Sequence, residues 1–529
     1  MTYFAEALLI LAWTVQMLGA TDWPQFQRDA QHTGRTPDAV PFGSGDTGYR
    51  LRWMWQGAAG TIRNKLANPL WDGPTIYPKT PIYDPARNNV WDQRIPQSVP
   101  FTLAGLAQPV VVGERVYIGD QDGKVYCINA DDGSTIWTAD NPGGTCGAAA
   151  VGNNVAVFTS MTGYVRGYHA ENGTPLWTFK TRGPVTAAPV MEGTDIYVAC
   201  HGRRAYRINM LTGAVIWTSP DLGAQVVQPV ALDASSVYTA AENMRAYALN
   251  KADGSIRAQR TVAGQSFYGQ WPVVWGGFVF FVAAPIPAIG SEQTDEIIRN
   301  STNLSQEYAD IRAYIQGQDP GNRWRWESAN WKYFTVLSTA TFEEPYLVPA
   351  GPTEGCGTPP IPPSVDNQGN LLVYMKTRFP SFIKKNGEVF GTEYSIDIRR
   401  LNPTTGDGIP INNGRFASDT QWFTWETDNL YAMSIASSTL WLHQDYRGSV
   451  NVSLTTSQAY RPFAQSNPPG WTNIQVLYTI GWDDMPGYEP PRYPTTTMNS
   501  LQGRSAPVVS GTRFYVRTPW ALFCGERNP

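Results

Sequence analysis

The sequence predicts an all-β chain folded as a β-propeller of four-stranded blades with loop and helical insertions, eight-bladed, with seven blades as the alternative count. Three observations predict it. One short phrase is written three times: Asn129-Ala-Asp-Asp-Gly133-Ser-Thr-Ile-Trp137, His169-Ala-Glu-Asn-Gly173-Thr-Pro-Leu-Trp177 and Asn209-Met-Leu-Thr-Gly213-Ala-Val-Ile-Trp217, its glycines and tryptophans each recurring every 40 residues. A fourth copy at Asn250 to Ala258 keeps Gly254 and loses the tryptophan. That period belongs to solenoids and propellers, and the contents of the repeat decide between them. Those contents are four short strand patterns separated by turns, which is one blade. The third observation is a partial blade at each end of the chain. Tyr49 to Gln56 reads as a fourth strand lacking its first three, while Ala506 to Arg517 and Ala521 to Cys524 read as three strands lacking a fourth. Pairing of 51–56 with the strand around 521–524 closes the ring and removes the open edge.

Within the repeat, the turn has a mechanical reading. Asn bonds its own backbone two residues on, and the glycines at 133, 173, 213, 254 and 406 take the positive φ that the return into the fourth strand demands. Trp137, Trp177 and Trp217 then stand on the outermost strand, where a large flat side chain covers the gap between blades. A residue repeated in every blade serves the architecture, so these are read as packing rather than ligand contacts.

The chain then reads in order. Residues 1–20 are expected to be a signal peptide, because the apolar run 7–20 is too short to span a bilayer and suits an h-region. Residues 21–529 form a single propeller domain with insertions at about 58–106, 283–322 and 455–503. First strands open near Gln108-Pro-Val-Val, Ala148-Ala-Ala-Val, Ala188-Pro-Val-Met and Gln228-Pro-Val-Ala, and a fifth at Gln270-Trp-Pro-Val-Val-Trp. Inside the second insertion, 291–318 is expected to be helical, since Leu304, Tyr308, Ile311 and Ile315 share one stripe. Asn322 to Glu327 reads as the fifth blade's fourth strand. Pro363 to Tyr374 with Ile398 to Gly406 supplies a sixth blade, and the strands starting at Leu430, Thr439 and Ser449 a seventh.

The phrase Ala-x-Asp-x-x-Gly-x-x-x-Trp after a Gly-x-Val-Tyr strand resembles the repeat of pyrroloquinoline-quinone-like β-propellers. That family includes quinoprotein dehydrogenases and the outer-membrane barrel-assembly lipoprotein, and Asp22 to Gly34 resembles the opening of many such domains. The resemblance implies the fold and leaves the function open, because the same propeller hosts enzymes and binding proteins. Enzymes of this family typically place a vicinal disulfide over the quinone and calcium beneath it. No two cysteines of this chain are adjacent, so the resemblance argues against that cofactor.

Composition narrows the function further. A net charge of −4 and only 16% charged residues give no electrostatic footprint for nucleic acid or anionic lipid. The five cysteines, at 127, 146, 200, 356 and 524, have no CxxC spacing, which excludes a haem-attachment motif or zinc knuckle. Cys127, Cys200 and Cys524 fall in strand patterns and are expected to be buried, whereas Cys146 and Cys356 lie in loops where a disulfide is one reading. Four histidines, none near another, make no local metal motif. Arg203 and Arg204, in a tight turn after His201, offer an anion site or a solvated turn. Trp324 and Trp326 offer a stacking surface or an outer strand.

The reading is therefore an exported, non-catalytic propeller that acts as a binding or scaffold module for a protein or glycan partner. It has no cofactor, no nucleic-acid partner, no metal and no transmembrane helix in the mature chain, and it is located in the periplasm or secreted. A quinone-dependent sugar or alcohol dehydrogenase using pyrroloquinoline quinone with calcium is the alternative, and a propeller glycosidase or lyase the third reading.

Overall fold

The structure, a computed structural model, describes residues 21–38, 49–55, 57, 61–63, 103–104, 106–262, 266–267, 269–283, 310, 313, 335–345, 361–377, 395–401, 408–410, 430–444, 448–454, 459–460, 506–518 and 521–527. Its strands assemble into eight sheets, each one blade of a β-propeller. Blade 1 comprises Val110–Val112, Arg115–Gly119, Lys124–Asn129 and Thr135–Asp140. Blade 2 comprises Ala150–Gly152, Val155–Thr159, Tyr164–His169 and Pro175–Lys180. Blade 3 follows with Val190–Glu192, Asp195–Cys200, Arg204–Asn209 and Val215–Thr218. Blade 4 has Ala231–Leu232, Ser236–Ala241, Arg245–Asn250 and Ile256–Thr261.

These four blades are near copies because each strand buries what the pattern tells it to bury. Second strands such as Val155–Thr159 are buried at every position, while outer strands such as Pro175–Lys180 alternate toward solvent. In each of the four, the pairing of third and fourth strands shifts register once, between Cys127 and Ile128, Gly167 and Tyr168, Arg207 and Ile208, and Ala248 and Leu249. Such a bulge bends the outer strand locally.

The later blades are less regular. Blade 5 is described by Val273–Trp275, Phe278–Phe281 and Thr335–Ser338. The strand that pairs with Phe278–Phe281 begins only at Thr335, after 322–327 in the chain. That stretch, with Trp324 and Trp326, lies outside the described residues. Blade 6 is Ser364–Val365, Leu371–Thr377, Ser395–Leu401 and Gly408–Pro410, and Gly406 also lies outside the described residues. Blade 7 is Leu430–Ala436, Thr439–Gln444, Gly448–Ser453 and Ala459–Tyr460. Of the expected helix at 291–318, residues 310 and 313 alone are described, both helical. The signal-peptide residues and nearly all of the insertion 455–503 fall outside as well, whereas 58–106 opens with a short strand, Thr61–Arg63.

Blade 8 joins the two ends of the chain. Val508–Ser510, Arg513–Thr518 and Ala521–Arg527 supply its inner strands, and Tyr49–Trp55 pairs antiparallel with the last of them, Trp53 opposite Cys524 and Trp55 opposite Leu522. Thr61–Arg63 adds a further strand outside. Ring closure by the two partial blades therefore falls at the residues the sequence indicated.

Neighbouring blades are fastened by the tryptophan phrase. The indole N–H of Trp137 donates to Ala170 O at 2.9 Å, that of Trp177 to Met210 O at 2.8 Å and that of Trp217 to Lys251 O at 2.9 Å, each carbonyl lying in the turn of the following blade. In the same turns, a Cβ on Gly173, Gly213 or Gly254 would lie 2.5–2.7 Å from the ring of the preceding blade's tryptophan. The glycine is thus required twice, for its φ of +72° to +76° and for the ring seated against it. Trp53 repeats the contact across the closure by donating to Ala130 O at 3.0 Å.

Candidate functional site

First strands of neighbouring blades adjoin and form the inner wall of the ring. Along that wall runs the segment 21–38, here called the collar, which meets all eight blades in turn. The Ser510 hydroxyl of blade 8 donates to Thr21 O at 2.9 Å. Trp23 exchanges backbone hydrogen bonds with Val111 of blade 1, and Val151 N of blade 2 donates to Pro24 O. The Gln25 amide brackets Met191 of blade 3, donating to its carbonyl at 3.1 Å and accepting from its N–H at 2.6 Å. Leu232 N, Val274 N, Val365 N and Ile435 N, from blades 4 to 7, then donate to the carbonyls of Ala30, Gln31, Thr33 and Gly34. At the far end Arg35 and Thr36 pair in parallel with Ile435 and Ala436. The ends meet: Thr21 N donates to Asp38 Oδ2 at 2.9 Å, and the same carboxylate accepts from Gly511 N.

Local chemistry bends this segment into a circle. Gln27, Arg28, His32 and Gly34 all take positive φ, between +50° and +72°. For non-glycine residues that conformation holds where the surroundings over-determine it. Asp29 supplies part of that determination, its carboxylate accepting from Gln31 N and Thr33 N and from the Thr33 hydroxyl. Burial holds the Asp29 carboxyl above its usual pKa, and the bonds from Thr33 offset part of that shift.

Collar side chains are rooted in the inner wall. Gln108 accepts from Trp23 Nε1 at 3.2 Å and from Gln27 N at 2.7 Å, and donates to Ala506 O at 3.0 Å. Phe26 packs edge-on against both His32 and Trp271, with centroids 5.6 and 5.0 Å apart. The His32 ring is fully buried and its Nδ1 bonds Pro272 O at 2.9 Å; desolvation holds its pKa down to about 4. It is therefore a neutral imidazole at pH 7.

The residues singled out in the sequence divide into three groups. The glycines at 133, 173, 213 and 254 and Trp137, Trp177 and Trp217 sit at turns and blade junctions. Arg203 pairs with Asp221 at 3.0 Å on the surface, and Arg204 donates to Ser219 O at 2.6 Å. Gly406, Trp324 and Trp326 lie outside the described residues. Cys127, Cys200 and Cys524 are buried free thiols, and burial lifts Cys127 and Cys524 to about 12. Cys146 is free, while Cys356 is not among the described residues. Sequence reading missed the collar's anchors, Gln25, His32, Gln108 and Trp271. One signal was visible: glutamine stands just ahead of the first strand at 108, 228 and 270.

The repeat, its tryptophan docking and the closed ring define a β-propeller whose repeat resembles that of the pyrroloquinoline-quinone-like propellers. Over residues 82–284 the chain matches the family model described as outer membrane protein assembly factor BamB. The BamB of Alkalilimnicola ehrlichii is 28% identical over 145 residues, which is 25% of this chain and 37% of that protein. Tetrathionate hydrolase of Acidithiobacillus ferrooxidans is 27% identical over 136 residues, 21% of this chain and 27% of that one. The chain thus spans roughly a third of the length of these relatives. Among solved structures, quinohemoprotein alcohol dehydrogenase from Comamonas testosteroni superposes with a TM-score of 0.53 at 12% identity, covering 96% of this chain and 80% of that one. That likeness concerns the fold alone.

Proposed function

We propose that the protein is an extracytoplasmic, non-catalytic propeller that acts as a binding or scaffold module for a protein or glycan partner. The observation that carries this reading is the match of residues 82–284, a range that includes the four regular blades, to a family model described as outer membrane protein assembly factor BamB. The described blades support it, since their repeat side chains are engaged in turns and junctions, which leaves function to the period-breaking insertions at 58–106, 283–322 and 455–503. No described helix is long and apolar enough to cross a membrane.

The composition of the described inner wall weighs against a quinone with calcium. Among the side chains that meet the collar are the Gln108 amide, the Ser510 hydroxyl and the Trp271 indole, and among the described residues no three of His, Cys, Asp and Glu gather. Calcium prefers six to eight oxygen ligands with carboxylates among them, and a polyanionic quinone calls for cations. The described wall therefore supports a reading without that pair.

The test uses the full chain. Purified protein is assayed for dye reduction with added pyrroloquinoline quinone and calcium over a panel of alcohols and sugars. In parallel, a photoreactive residue in each insertion is crosslinked in the intact producing cells, which are then fractionated. The reading expects no quinone-dependent turnover and an insertion-specific adduct in the extracytoplasmic fraction. Saturable, quinone-dependent reduction of the dye overturns it.

A further inference from the structure

The junction of blades 4 and 5 lacks the tryptophan that fastens the regular blades, since register puts Ala258 opposite Ala248 where Trp137 stands opposite Cys127 and Trp217 opposite Arg207. The turn it meets is nonetheless built to the same plan. In blades 2 to 4 the residue that opens the turn, His169, Asn209 or Asn250, donates its N–H to the carbonyl five residues on and accepts from the N–H of the glycine four on. Blade 5 repeats both bonds with Ser338 as the opening residue: Ser338 N donates to Glu343 O and Phe342 N to Ser338 O, each at 2.8 Å. Phe342 therefore stands in the glycine's position and keeps the left-handed backbone, with a φ of +59°. An aromatic residue holds that conformation where its surroundings fix it.

What surrounds Phe342 is the place the tryptophan has left. Tyr117, Tyr197 and Tyr238 are equivalent, each paired with the first residue of its blade's first strand. Trp137 lies 6.1 Å from Tyr117 and Trp217 lies 6.0 Å from Tyr197, centroid to centroid, whereas Tyr238 has Phe342 at 6.2 Å, its ring nearly parallel. Phe342 is buried in one cluster with Tyr238 and Ala248, and Ala258 packs against that cluster. The ring thus comes from blade 5 instead of blade 4. The indole's other task, donating to the carbonyl one residue past the turn's opening, falls to Arg257: its Nη2 donates to Thr339 O at 2.7 Å and its Nη1 to Ala340 O at 3.1 Å. Thr339 corresponds to Ala170, Met210 and Lys251, whose carbonyls accept from the three tryptophans. Arg260 pairs with Glu343 across the same junction, the two side chains 37% and 67% exposed.

We propose that the junction of blades 4 and 5 is a salt-sensitive seam in the ring, closed by Phe342 and Arg257 in place of a tryptophan. At the junctions sealed by Trp137, Trp177 and Trp217, one uncharged side chain supplies both the ring and the donor, so dissolved ions have little to screen. Here the donor is a guanidinium on the surface and its neighbour is an exposed ion pair, and both weaken as salt rises. The two halves of the seal also belong to different blades. Movement of blade 5 away from blade 4 therefore withdraws the ring and breaks the bonds of Arg257 together.

Two measurements on the full chain test this. Hydrogen exchange is followed at Phe342 N and at Gly213 N, its equivalent in the turn that receives Trp177, in about 0.05 M and about 1 M sodium chloride. Exchange at Phe342 N is expected to speed about twofold or more while Gly213 N stays level. The second measurement is a substitution cycle. Ala258→Trp alone forces a second ring into an occupied place, and Phe342→Gly alone leaves that place empty, so each is expected to lower the melting temperature by about 2 °C or more. Together they restore the arrangement of the regular junctions, and the double variant is expected to recover about half of the summed loss or more. Additive losses would show that the Phe342 ring does not stand where a tryptophan would, and an equal response to salt at the two turns would show that the junction is no seam; either result overturns the proposal.

Discussion

Gly213→Ala isolates the contact that fastens one blade to the next. Two terms add at this position. Its φ of +73° is left-handed, which costs a residue with a Cβ about 1–2 kcal/mol. The added carbon would also stand 2.7 Å from Cδ2 of the Trp177 ring and 2.8 Å from Cε3, so the indole must shift. Overpacking of that kind adds about 1–3 kcal/mol. Displacing the ring also strains its 2.8 Å hydrogen bond to Met210 O. The total is about 2–5 kcal/mol. Gly193, in the same blade, is the control: its φ is +61°, but nothing lies within 4 Å of an added Cβ. Gly193→Ala therefore carries only the backbone term. Scanning calorimetry of both variants, with urea midpoints as a second reading, gives the comparison. Gly213→Ala should melt below Gly193→Ala by the packing difference. Equal losses would show that the ring does not depend on this seat and would refute the docking argument.

Truncation of Trp137, Trp177 or Trp217 to Ala should destabilise by about 3–5 kcal/mol, read as a lower melting temperature; a variant that keeps its stability and loses a partner would reverse the assignment. Acid should loosen the collar through His32. Its folded pKa of about 4 lies below the usual 6.5, so the unfolded chain binds the proton first, and this contribution is complete above pH 6.5 and lost as pH falls toward 4. The loss amounts to about 3 kcal/mol, and His32→Gln should flatten the stability profile in that window; an unchanged slope would disprove the assignment. Deleting 22–57 should abolish the cooperative unfolding transition, because collar and closing strand leave together, and a truncated chain that melts like the intact one would count against both roles. Hydrogen exchange with a bound partner should protect the three insertions, not the regular blade turns.

Regular blades were legible because their rule is local. Strand alternation, the Asn-x-x-x-Gly turn and the recurring tryptophan each sit within a single 40-residue copy, so reading one copy reads four. Ring closure was legible for a different reason, since an unpaired strand at each terminus is an unsatisfied edge that points to its complement. Blade 5 was less legible where an insertion separates Phe281 from Thr335, because no local pattern marks how far along the chain the next strand of the blade begins. The collar was not legible at all. Its bonds are made largely by backbone carbonyls, which every residue possesses, and its left-handed residues Gln27, Arg28 and His32 are not types that announce a turn. The doubled need for Gly213 was hidden too, since a turn alone explains a glycine and nothing local names the ring of the preceding blade.

The collar also sets the order in which the molecule can be made. Its partners extend from Val111 to Gly511, so a segment that leaves the ribosome before every blade cannot be fully seated until the chain through Gly511 has followed. Blades 1 to 4 depend on short-range pairing and can form as they emerge, but the inner wall stays uncovered behind them. Contacts between residues hundreds of positions apart form late and slowly, and exposed strand edges are vulnerable in the interval. A nascent chain that has made only some of its blades is therefore an open arc, with both its edge and its inner wall bare until residues 49–55 and 521–527 find each other.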